Sequence, residues 1–250
     1  MGASRASPVN RPERLTVQGL EEPVEVRRHP AARRMTLRVS RTRRAVIVTL
    51  PIKCDLKQAG DFLSSHIDWV RERLTKMPVA EPFADGGVVS LRGAPHHIVF
   101  NNGKKSGNAC VRVIKKNDQY HELHVSGDLQ SAPCQLRGWL IEQARRDLIE
   151  RVAYHTKQLG LKANKISVRD QTSRWGSCSS KGNLSFSWRL VMAPPQILDY
   201  VAAHEVAHLA EMNHGPKFWA LVRKTCPHMD EAKQWLQIYG MDLHRYGAQA

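Results

Sequence analysis

A chain of 250 residues that is 42% apolar and 24% charged has the make-up of a globular protein, long enough for one large domain or two small ones. No apolar run approaches the roughly 18 to 20 residues that span a bilayer, and the stretch MGASRASPVNRPERLT lacks the apolar segment of a secretory signal. Lys plus Arg outnumber Asp plus Glu by 38 to 23, and the excess is densest in residues 1–50, which hold eleven arginines, no lysine and four glutamates. That density could attract nucleic acid or another polyanion, although a solvated strand face would read the same way.

The first 20 residues read as a basic, disordered arm. From Val24 to Leu50 apolar and polar residues alternate, with Met35, Leu37 and Val39 on one face and Val46, Val48 and Leu50 after the polar Arg41 to Arg44 turn, which predicts a β-hairpin. Pro51 ends it. Phe62, Ile67, Val70 and Leu74 then recur at helical spacing, predicting one helix over about 55–77. Short β-rich runs at Val88 to Leu91, His97 to Phe100, Val111 to Ile114 and Leu123 to Val125, separated by Gly and Asn, predict a small antiparallel sheet. Leu136, Leu140, Ala144, Leu148 and Val152 form one stripe of a long helix from about Cys134 to Gly160. Ile166 to Arg169 and Leu184 to Leu190 read as two strands joined by the Ser- and Gly-rich segment Thr172 to Asn183. Pro194-Pro195 opens a helix expected to run to about Met212.

Five scattered cysteines, odd in number and never in C-x-x-C spacing, point to a reducing compartment, expected to be the cytoplasm, and argue against a cysteine zinc knuckle. The chemistry lies instead in His204-Glu205-Val206-Ala207-His208. Histidines four apart on a helix share one face and can grip one ion, expected to be Zn2+. Glu205, turned to the side of that pair, is placed as general base for amide hydrolysis. A catalytic zinc needs three protein ligands and an open position. His214 is the first candidate for the third, reached by a short turn in which Asn213 could take the left-handed conformation. Glu231, on a following helix, and His228 are the alternatives. The spacing to His214 equals the H-E-x-x-H-x-x-G-x-x-H pattern, but Glu211 stands in place of its glycine.

Four segments carry a resemblance to a known family: Ser173 to Cys178 (SRWGSC), Trp188 to Pro195 (WRLVMAPP), Asp199 to Leu209 (DYVAAHEVAHL) and Asn213 to Trp219 (NHGPKFW). With weaker similarity back to Arg33-Arg34-Met35-Thr36-Leu37-Arg38-Val39, they make the chain resemble the YgjP-like metallopeptidases, related to SprT-like and WLM zincins. The resemblance implies that the histidine of the His214-Gly215-Pro216 segment completes the zinc site. Val206-Ala207 stand where that family often has Leu and Cys. In the SRWGSC segment, Arg174 or Ser177 could lie near a peptide added to the edge of the Leu184 to Leu190 strand, while Trp175 and Cys178 read as packing residues.

The expectation is therefore an α+β protein. A zincin-like domain over 131–242, with its H-E-x-x-H helix under a small sheet, follows a mainly β region over 21–130 that holds one helix, and residues 243–250 form a tail. Its expected activity is zinc-dependent hydrolysis of peptide bonds in peptide or protein substrates, without membrane insertion. The alternative is a nucleic-acid-associated protein using the Arg-rich region, either as a SprT-like protease on DNA-bound proteins or as a binding module.

Overall fold

The computed structural model describes residues 13–17, 19–21, 24–40, 45–75, 79–102, 110–116, 121–171 and 173–247. Among them are three small sheets and six α-helices, an α+β architecture. They divide between Met77 and Pro78 into two compact units.

In the first unit the expected alternation forms strands. Strands β3 (Thr36–Ser40) and β4 (Ala45–Leu50) pair antiparallel as the two arms of the predicted hairpin, while the Arg41 to Arg44 turn lies outside the described residues. β2 (Val24–Arg28) runs parallel to β4 on its other side. β1 (Glu13–Leu15) falls within the segment expected to be an arm, yet it pairs antiparallel with β2, giving the order β1-β2-β4-β3. Val24, Val26, Val46, Val48 and Leu50 bury one face against Ala59, Leu63, Val70 and Leu74.

Those last four residues belong to two helices where one was expected, α1 (Leu56–Ser64) and α2 (Ile67–Thr75). Asp55 starts α1 with a capping box, its carboxylate accepting from the Gln58 N–H while the Gln58 side chain accepts from the Asp55 N–H. The break follows from Ser65 and His66. The Ser65 hydroxyl (2.8 Å) and His66 Nδ1 (2.9 Å) both turn onto the Phe62 carbonyl, which a continuous helix would pair with the His66 N–H.

The second unit opens with a sheet of β5 (Val88–Leu91), β6 (Ala94–Asn102), β7 (Val111–Lys115) and β8 (His121–Gly127) in the order β5-β6-β8-β7. It is not wholly antiparallel as expected: β8 inserts between β6 and β7, parallel to β6 and antiparallel to β7. The buried residues of this sheet share one core with the stripe of α3 (Ala132–Leu159), so the boundary expected at 130/131 falls inside this unit. α3 ends at Gly160, whose φ of 65° supplies the left-handed cap.

The third sheet holds β9 (Lys165–Arg169), β10 (Gly176–Cys178) and β11 (Asn183–Ser187) in the order β10-β11-β9. β11 is thus the central strand and not the edge that was expected. It also stops early, because Trp188–Met192 coil into a buried 3-10 helix with the Ser187 hydroxyl accepting from the Arg189 N–H. Arg189, which alternation would turn to solvent, is 1% exposed. Its guanidinium donates to the carbonyls of Leu243 (2.9 Å) and Tyr246 (2.7 Å) and to Asp170 Oδ1 (3.1 Å). The expected tail is therefore tied to the core through Leu243 and Tyr246. The helices α4 (Pro195–Ala207), α5 (Pro216–Thr225) and α6 (Met229–Tyr239) complete the unit.

Replacing Arg189 with Met removes every one of these bonds and strands two carbonyls. Urea unfolding is expected to show a loss of about 3 kcal/mol; an unchanged midpoint would mean that the C-terminal segment is held by other contacts.

Candidate metal centre

α4 starts at a proline pair. Pro195 occupies its first turn, where a missing N–H costs nothing. Ile197, Leu198, Val201, Ala202, Ala203, Val206 and Ala207 are all buried, so the helix is enclosed on nearly every face. It ends at His208 rather than at Met212. The His208 ring folds back so that Nδ1 meets the Glu211 carbonyl at 3.0 Å, and the Gly215 N–H donates to the Asn213 carbonyl at 2.8 Å. Asn213 does not take the expected left-handed conformation; the Glu211 and Asn213 carbonyls turn the chain instead. Gly215 then precedes Pro216 at the first position of α5.

This turn brings the three histidines together. One ring nitrogen from each of His204, His208 and His214 lies within 4.8 Å of the others, and His204 Nε2 and His214 Nε2 are 3.1 Å apart. Two nitrogens sharing a tetrahedral ion at about 2.0 to 2.1 Å would stand roughly 3.3 Å apart, so the donor set fits one zinc. Phe218 lies beneath all three imidazoles, with ring centroids at 4.9, 4.5 and 4.7 Å. Phe218, four residues after His214, is the fully buried floor, and the Trp219 ring lies 5.8 Å from His214. On its inner side His204 is held by packing. Its Nδ1 is buried with no hydrogen-bond partner among the described residues, while Tyr200, Phe218 and Trp219 box its ring.

Burial lowers the pKa of His204 to about 4, with the neighbouring His208 and His214 pushing the same way. Burial also lowers that of His208. Neutral imidazoles carry the lone pairs a metal needs.

Glu205 is 5% exposed and turns toward β10. Burial lifts its pKa to about 7 against the opposing charge of Arg174. The contact with β10 is close enough to dictate sequence: a Cβ on Gly176 would stand 2.5 Å from Glu205 Oε1. A cleft of about 380 Å³ opens here, lined by Arg174, Trp175 and Gly176, by Tyr200, His204 and Glu205 of α4, and by Lys233 of α6. Ser177 does not line it. Trp175 packs against the core and stacks on His244 at 5.1 Å, and Cys178 packs against the core too, as expected of both.

Neither alternative third ligand joins the histidines. Glu231 is exposed in the first turn of α6. His228 belongs to a separate group, where its Nε2 meets Asp199 Oδ2 (3.3 Å), Cys226 Sγ (3.4 Å) and the Gln196 carbonyl (3.2 Å). A single nitrogen facing three acceptors reads as a shared N–H donor. Asp199 Oδ1 also accepts from Arg151 and from His155 Nε2 (2.8 Å), tying α4 to α3 and to the turn before α6. Burial raises the Asp199 pKa, but those two donors outweigh it and hold the carboxyl below its ordinary range.

The YgjP-like metallopeptidase domain matches residues 33–239. The chain belongs to the YgjP-like family of metallopeptidases. The match takes in the three histidines, Glu205 and the β10 segment. Among solved structures, the metallopeptidase zymogen of Pyrococcus abyssi abylysin is similar at 21% identity and a TM-score of 0.35, over 40% of this chain and 97% of that one. A search of curated proteins gives no significant match.

Gly176→Ala is expected to displace the Glu205 carboxylate and lower kcat/KM on a peptide substrate by about 100-fold, with bound metal and melting temperature retained. Undiminished turnover would show that the carboxylate does not depend on this contact.

Proposed function

We propose that this YgjP-like metallopeptidase is a zinc enzyme in which His204, His208 and His214 hold the ion and Glu205 is the general base. The observation that carries the reading is the convergence of three imidazole nitrogens within 4.8 Å beside a buried carboxyl in an open cleft. The ion, when bound, supplies polarisation of the scissile carbonyl and acidification of a water toward a pKa of about 7. Glu205 takes the proton of the attacking water and returns it to the leaving amine. Burial raises its proton affinity, the direction that helps it hold the proton between the two transfers. β10, the short edge strand beside α4, offers its free side to an extended substrate, with Arg174 at its entrance.

Glu205→Gln is expected to cut peptide hydrolysis by at least about 100-fold while leaving metal content intact, measured by single-turnover cleavage and elemental analysis. His214→Ala is expected to lose the metal itself. Full cleavage by Glu205→Gln would remove Glu205 as the base, and stoichiometric zinc in His214→Ala would remove His214 as a ligand.

The five cysteines are unpaired, which supports a reducing, cytoplasmic setting, and no described helix is long and apolar enough to cross a membrane. A second, compatible reading concerns the first unit. Arg33, Arg34 and Arg38 are exposed, and Trp69, 40% exposed, lies under Arg73 at 5.6 Å. Cations beside an open aromatic face favour a nucleic acid; Arg43 and Arg44 lie outside the described residues. Single-stranded DNA is expected to bind with an affinity that falls as salt rises and that drops further in Arg33→Gln/Arg34→Gln. No binding at low salt would remove this reading.

A further inference from the structure

The cleft beside the histidines is lined by two cations, Arg174 next to β10 and Lys233 on α6, and by one acid, Glu205. Several arginines elsewhere in this unit are ion-paired: Arg92 with Asp147, Arg137 and Arg189 with Asp170, and Arg245 with Glu81. Arg174 and Lys233 have no such carboxylate among the described residues. Glu205 does not fill that role, because it is buried against Gly176 while Arg174 is exposed, and no hydrogen bond joins the two. Lys233 is steadied over the Trp219 ring, its Nζ 5.1 Å from the centroid, and Trp219 in turn lies 6.0 Å from His204.

Two cations with no ion-paired carboxylate, at one mouth and beside a single buried acid, leave positive charge for the substrate to balance. We propose that Arg174 and Lys233 form a carboxylate-binding subsite, so that preferred substrates are peptides presenting a carboxylate next to the scissile bond, either as an acidic side chain or as the peptide's own C-terminus. The inference rests on the peptidase reading of the same cleft. Arg174 offers a planar fork of donors suited to a carboxylate, and Lys233 a point charge that tolerates the carboxylate's position. Charge-assisted hydrogen bonds of this kind correspond to a preference of roughly 10- to 100-fold over a neutral analogue.

The test uses peptides that differ only by Glu or Gln at scanned positions, each made with a free and an amidated C-terminus. With the zinc-loaded full chain, kcat/KM is expected to be at least about tenfold higher for the carboxylate-bearing member of a pair. The ratio should fall toward one in Arg174→Gln and in Lys233→Gln, recover in part in Arg174→Lys, and shrink as salt rises. A preference surviving amidation assigns the subsite to an acidic side chain; one abolished by amidation assigns it to the C-terminus. Binding of the same pairs to the metal-free chain, measured by calorimetry, should show the same discrimination without turnover. Equal cleavage and equal binding of charged and neutral members would overturn the subsite and leave the peptidase reading standing. Selective binding of the charged members with no zinc-dependent cleavage of any peptide would uphold the subsite and overturn that reading.

Discussion

A helix enclosed on nearly every side leaves the polar groups it carries little freedom, and α4 is such a helix. Its alanines at 202, 203 and 207 let neighbouring elements approach closely, and its larger apolar residues fill the core they share. Asp199, near its start, is gripped by Arg151 and His155 from α3 and by His228 from the turn before α6. With its packing complete and the Asp199 charge satisfied, α4 can present His204 and Glu205 to the cleft at a fixed height and angle. A site built on a rigid element is what pre-organised chemistry requires.

The two residues then face different walls. His204 looks toward the turn that returns His208 and His214, above the Phe218 ring, and burial keeps its imidazole neutral. Glu205 looks toward β10, where the missing side chain of Gly176 leaves room for its carboxylate. One glycine therefore couples the small sheet to the proposed base, and the same segment brings Arg174 to the mouth. Desolvation raises the proton affinity of Glu205, while Arg174, two residues before Gly176, and Lys233 on α6 bring positive charge to the opening.

What could be read from sequence was what is local. His204 and His208 are related by one helical turn, and His214 by a loop short enough that its return needs no long-range information; all three come together. The α3 stripe, the first-unit hairpin and the packing of Trp175 and Cys178 follow from periodicity and composition in the same way. What could not be read depends on partners distant in sequence. Nothing in residues 94–127 announces that β8 inserts between β6 and β7, since each run has the same alternation in either order. Arg189 mimics a solvent-facing strand residue until the carbonyls of Leu243 and Tyr246 are brought to it. The role of Gly176 is visible only once Glu205 stands beside it, and that of Phe218 only once the turn folds the three imidazoles over its ring. The single helix expected over 55–77 failed for a local reason, the competition of Ser65 and His66 side chains for one carbonyl, which periodicity does not register.

In the proposed centre one ion is held by three imidazoles and no sulfur, although Cys226, with Asp199 and His228, forms a second group of potential ligands in the same unit. X-ray absorption at the zinc edge of the metal-loaded chain separates the two directly. A first shell of nitrogen and oxygen alone at about 2.0 to 2.1 Å is expected, with the outer-shell scattering of three imidazoles. A sulfur scatterer at about 2.3 Å would place the ion at Cys226 and contradict it.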